Sequence, residues 1–178
     1  MKNFVVLVLS VFLAMSANAQ SQGQKWLAEA RKGNVKAMYQ TALRYITGVD
    51  GLPKSTEKAR YWAEKGGEAG HVGCMDVAAS TYRDVETKRF ESRRIYWAEK
   101  AGEAGSVDGM MKARDSYLDL EWKSKSDADI LRCLERQMYW NDKMLVTPNL
   151  DDNGQCQHIK EMLEKKLAKY KAGETKEN

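Results

Sequence analysis

Small and aromatic side chains recur along this chain at helical spacing. From Val35, the residues Ala37, Met38, Thr41, Ala42 and Tyr45 fall at steps of three and four, which places them on one face of a helix. Gly48, Gly51 and Pro53 end that run, and Ser55 or Thr56 stands where a second helix needs an N-cap. The second helix carries Ala59, Tyr61, Trp62 and Ala63 and closes in Gly66, Gly67 and Gly70.

The pattern then repeats. Tyr61-Trp62-Ala63-Glu64-Lys65-Gly66-Gly67-Glu68-Ala69-Gly70 returns 35 residues later as Tyr96-Trp97-Ala98-Glu99-Lys100-Ala101-Gly102-Glu103-Ala104-Gly105. Tyr139-Trp140-Asn141-Asp142-Lys143, another 43 residues on, is a fainter third copy. Gly33-Asn34-Val35 aligns with Gly70-His71-Val72 and Gly105-Ser106-Val107, and the columns Met38/Met75/Met110 and Tyr45/Tyr82/Tyr117 keep the same register. A period of about 36 residues has room for two helices and two turns. One hairpin leaves an apolar face that the next must cover, so the expected fold is all-α, a short right-handed α/α solenoid of about three helical hairpins. It is expected over residues 35–144, with an N-terminal cap helix in 20–34 (Trp26 to Lys32), a C-terminal capping helix in 145–171 (Gln155 to Lys171) and a flexible tail at 172–178.

The stretches Ala37 to Gly48 and Lys58 to His71 together resemble one copy of the Sel-one-like repeat, a relative of the tetratricopeptide repeat. Val72 to Ser106 resembles a second copy and Val107 to Met144 a divergent third. The chain departs from the family pattern: Thr41 replaces the usual Leu, Tyr-Trp replaces Trp-Tyr, the polar loop Asp84 to Arg89 replaces a Gly-rich turn, and the third copy is longer and lacks the terminal Ala-Glu-x-Gly. The resemblance implies a scaffold that binds another protein, in bacterial envelope or secretion contexts. Two forms remain open, an immunity protein neutralising a secreted effector and a cell-envelope adaptor. The alternative is a small cell-wall-acting hydrolase using groove carboxylates.

The first residues carry an address. Lys2 precedes the apolar run Phe4 to Met15, and Ala17-Asn18-Ala19 gives the small-x-small pattern of a signal peptidase site. Residues 1–19 are therefore expected to be a signal peptide cut between Ala19 and Gln20, leaving a periplasmic or secreted product with no stable membrane insertion. The apolar run rises only about 18 Å as a helix, short of a hydrocarbon core of about 30 Å.

Export directs attention to the three cysteines. Cys133 and Cys156 lie on consecutive expected helices joined by a turn and form the candidate disulfide, while Cys74 shares a small-residue column with Ala37 and Gly109. The formal charge is +4 with both signs scattered along the chain, so no basic block points to nucleic acid. Only His71 and His158 are present, little material for a metal site or a His-based triad; His71-x-x-Cys74 reads as a turn residue and a packing residue. The glycines end helices rather than cradle phosphate, and no cofactor is expected. Glu64-Lys65 and Glu99-Lys100, at equal repeat positions, read as solvated charge. Asp115 and Asp119 are the carboxylates an acid–base mechanism would need. With the core columns removed, the first helices leave Tyr39 and Leu43, Asp76 and Ser80, and Met111 and Asp115 in equivalent positions. These six are the candidate partner-binding groove.

Overall fold

The computed structural model describes residues 20–83, 87–148, 150 and 154–173. The expected signal peptide at 1–19 lies outside the described residues, as do parts of the 84–89 loop, of the turn before Gly154 and of the C-terminal tail. The described residues form eight helices and no strand: α1 (Gln22–Arg31), α2 (Val35–Thr47), α3 (Thr56–Glu68), α4 (Val72–Ser80), α5 (Lys88–Glu103), α6 (Val107–Lys123), α7 (Asp127–Leu145) and α8 (Gln155–Lys171). Each packs chiefly on its chain neighbours, which gives three hairpins, α2/α3, α4/α5 and α6/α7, between the cap helices α1 and α8. The backbones of α2, α4 and α6 approach one another more closely than those of α3, α5 and α7, so the first helices make the tighter, inner layer.

The repeated motifs have physical causes. In the Gly33/Gly70/Gly105 column each glycine holds φ of 94°, 87° and 89°, a left-handed turn that L side chains rarely adopt. The next residue is an N-cap: Asn34, His71 and Ser106 accept from the backbone N–H of Ala37, Cys74 and Gly109. The polar column before the helix is therefore a capping column, and His71 serves in it through Nδ1, 3.2 Å from Cys74 N. Ser21, Ser55, Thr87 and Ser126 cap α1, α3, α5 and α7 in the same way. α1 starts four residues before the expected Trp26. Its first turn is polar and shows no apolar period, but Ser21 caps it and Gly23 N donates to Asp50 O at 3.0 Å.

One buried cluster runs through the stack from Leu27 to Cys156, and a second, of Ile130, Leu134, Leu163 and Tyr170, seats α8 on the far side of α7. Polar ties reinforce that seat: buried Glu121 accepts from Gln137 and pairs with Lys166, and Asn141 Nδ2 donates to Cys156 O at 2.8 Å.

The expected Cys133–Cys156 disulfide is not formed; both are buried thiols. The register of the helices explains this. Cys156, at the start of α8, lies beside Asn141, which is about 12 Å along α7 from Cys133. A disulfide needs Cα atoms within about 7 Å.

Within the core, large and small residues exchange places between copies. A Cβ on Gly67 would lie 2.7 Å from the Trp97 ring, and one on Gly102 would lie 2.6 Å from the Trp140 ring. A Cβ on Gly66 would meet Cys74 Sγ at 2.4 Å, whereas in the next copy Ala101 faces Gly109. The pair is small–large in one copy and large–small in the other. Gly66→Ala alone should destabilise by about 1–2 kcal/mol despite the better helix propensity of alanine. Combined with Cys74→Gly it should recover at least about 1 kcal/mol relative to the sum of the two single changes, measured by denaturant unfolding. Strict additivity would show that the two residues do not share a packing volume.

Candidate partner-binding surface

The acidic residues expected to be solvated prove to be joints between hairpins. Glu64 on α3 accepts hydrogen bonds from Tyr82 Oη (2.7 Å), Arg93 Nη2 (2.6 Å) and Trp97 Nε1 (2.9 Å). Glu99 on α5 repeats the arrangement with Tyr117 Oη at 3.0 Å and with Arg136. Burial pushes the Glu64 carboxyl up, but the three donors outweigh it and hold the group below the ordinary glutamate range. Arg93 lies over the rings of Tyr96 and Trp97, and Arg136 over those of Tyr139 and Trp140. The copies differ at one atom, since Trp140 Nε1 is buried without a hydrogen-bond partner. The signal that could have revealed the joint was the paired offset of Glu64/Glu99 with Tyr82/Tyr117, both 35 residues.

The six groove residues divide. Tyr39 stacks on His71, with ring centroids 5.0 Å apart, and Gly73 leaves room for its ring. Asp76, in the equivalent position on α4, accepts from Ser106 Oγ at 2.8 and 2.9 Å. Both therefore contact the N-cap of the next hairpin and are half-buried. Burial pushes the Asp76 carboxyl up, against the lowering effects of Ser106 and Lys112. Leu43 is half-buried against the main core. Ser80 is exposed and donates to Asp76 O. Met111 and Asp115 are exposed on α6, and Asp115 pairs with Arg114.

Two residues absent from the expected set extend that face. Leu118 and Trp122 are 38% and 74% exposed, and with Met111, at 39%, they fall at steps of seven and four along one stripe of α6. Their exposure is the feature that sequence periodicity cannot show, because an apolar residue on a helix reads as core. Asp115 and Asp119 do line one small cleft of about 90 Å³ with Arg83 and Arg94, but each is held in an ion pair, with Arg114 and Arg94 respectively.

No family model matches this chain, and no curated protein matches it. Among solved structures it is similar to a protective antigen present in uropathogenic Escherichia coli strains and displaying an SLR fold, with a TM-score of 0.50 and 19% identity. The match covers 82% of this chain and 37% of that one, so the chain spans just over a third of that structure's length. The chain has the SLR fold, the architecture of the Sel-one-like repeats.

The two half-buried carboxylates should respond to pH in opposite senses. Glu64, held low, contributes stability above the ordinary value of 4.5 and loses it as pH falls through its folded value. Asp76, pushed above 3.8, contributes most below that value and loses the contribution as pH rises through its folded value. Glu64→Ala should cost about 2–3 kcal/mol at neutral pH, and Glu64→Gln should flatten the fall in Tm on acidification. Asp76→Asn, which keeps an acceptor for Ser106, should leave Tm unchanged or raised at pH 7. A steeper acid loss in Glu64→Gln, or a lower Tm in Asp76→Asn, would contradict these assignments.

Proposed function

We propose that this chain is an exported, non-enzymatic module that binds another protein on the inner face of its solenoid. The observation that carries the reading is the stripe of Met111, Leu118 and Trp122, three large apolar side chains open on one helix of the inner layer. Exposed apolar surface of this kind, beside charged residues such as Asp115 and Arg114, is characteristic of protein-binding faces. The SLR fold supplies a compatible scaffold, a stack of hairpins with one long helix face presented per repeat. Tyr39, Leu43 and Asp76 act as supports of that face rather than as contact residues, whereas Ser80, Met111 and Asp115 remain on it.

The export signal at residues 1–19 assigns the module to the periplasm or the exterior, where the partner is a secreted effector neutralised by it or a component of the envelope. No helix among the described residues is long and apolar enough to cross a membrane.

The reading is tested by affinity capture from envelope extract and from extracts containing secreted effectors. A single near-stoichiometric partner should be retained by the wild-type protein and lost in the Met111→Ala/Trp122→Ala variant, with helical content unchanged. Retention of that partner by the variant would overturn the inner-face assignment. N-terminal sequencing of the isolated protein should begin at Gln20; a chain still starting at Met1 would remove export.

A further inference from the structure

The three first helices of the hairpins differ in length. In repeat register, the ends of α2 and α6 at Thr47 and Lys123 correspond to positions 84 and 88, yet α4 stops at Ser80. As described, α4 is therefore too short to flank the C-terminal half of α6. A cleft of about 830 Å³ opens there, walled by α5, α6 and the start of α7 with Tyr82, Tyr117 and Leu120 among its apolar contributors. Its volume lies within the range of ligand-binding pockets.

Among the described residues the charge lining this cleft is unbalanced. Five cations, Arg83, Lys88, Arg94, Lys123 and Arg132, face three acids, Glu91, Asp119 and Asp129. Lys123 is neutralised by Glu91 at 3.0 Å and Arg94 by Asp119 at 2.8 Å. Arg83, Lys88 and Arg132 have no ion-pair partner among the described residues. Arg94 Nε is buried without a hydrogen-bond partner. The adjoining cleft of about 90 Å³ shares Arg83, Arg94 and Asp119 and continues to Lys112 and Asp115, beside the exposed stripe of α6.

We infer that the cleft receives an acidic segment of the protein partner and that carboxylates of Asp and Glu side chains are what it recognises. The inference rests on the reading of the chain as a protein-binding module and specifies the chemistry of the partner. Two features favour a peptide over a lone anion. The cleft is large enough for several side chains, and it runs into a surface that offers apolar contacts. Guanidinium groups suit this role because they present paired donors to carboxylates.

The test is fluorescence anisotropy of the isolated protein with a labelled short peptide of alternating Asp, Glu and Ser. The same peptide with Asn and Gln in place of the acids is the reference. The acidic peptide should bind at least roughly tenfold more tightly than the neutral one, and the preference should weaken with salt. Lys88→Glu/Arg132→Glu should abolish it. Both positions are exposed, and an acid in the first turn of α5 suits the helix, so circular dichroism should be unchanged. Lys165→Glu, the same charge change at an exposed position on α8, should alter binding less than about twofold. Equal affinity for the two peptides, an equal loss in Lys165→Glu, or tighter binding of a single-stranded oligonucleotide of matched charge would overturn the inference. If Lys88→Glu/Arg132→Glu still captures the Trp122-dependent partner, the cleft assignment falls and the binding-module reading stands. Absence of any captured partner bears on that reading alone.

Discussion

Glu64 and Glu99 each sit where the second helix of one hairpin meets the second helix of the next and a tyrosine from that hairpin's first half, Tyr82 in the turn after α4 or Tyr117 on α6. A carboxylate there accepts from a tyrosine hydroxyl on one side and an arginine on the other, and Glu64 also takes the indole N–H of Trp97. Hydrophobic burial alone would let adjacent hairpins slide, because the stacking faces are largely alanine, methionine and ring surface with little directional preference. The acid removes that freedom. It satisfies polar groups that the stack would otherwise bury unpaired, and it does so at one rotation of hairpin on hairpin.

The indoles and glycines depend on that rotation. Trp97 and Trp140 are fully buried, and each ring lies over a glycine of the preceding hairpin where no Cβ would fit. A glycine inside a helix costs about 1 kcal/mol relative to alanine, so its presence at Gly67 and Gly102 is explained only by the ring it admits. The first joint of the series is built differently. Leu27 takes the position equivalent to Glu64 and is buried, consistent with α1 being a cap that closes the apolar stack.

Repeat register made the all-α solenoid of hairpins legible in the sequence, since it follows from a period, whereas the Asn34, His71 and Ser106 column read only as a polar turn and its capping role came from the structure. The charged residues were misread for a reason that is also physical. Glu64 stands on a helix surface beside exposed Lys65, and whether that surface faces water or the next hairpin depends on the stacking, which no local pattern encodes. The contact of Asp76 with the Ser106 cap was hidden in the same way. The cysteine pairing failed on helix register, because proximity of two helices says nothing about which turns face each other.

The column of Tyr39, Asp76 and Met111 ties these points to function. In the first two copies this position is occupied by its contact with the N-cap of the following hairpin, His71 or Ser106. In the third copy the equivalent partner position would be 149, which lies outside the described residues, and Met111 is exposed. The surface most suited to a partner thus appears where the repeat ends, on the helix that is also longest among the inner three. The shortened α4 stops short of the other side of that helix, where a cleft opens among the described residues. Regular stacking consumes the inner face as structure, and the two departures from regularity are what leave α6 with an apolar stripe and a basic cleft to offer.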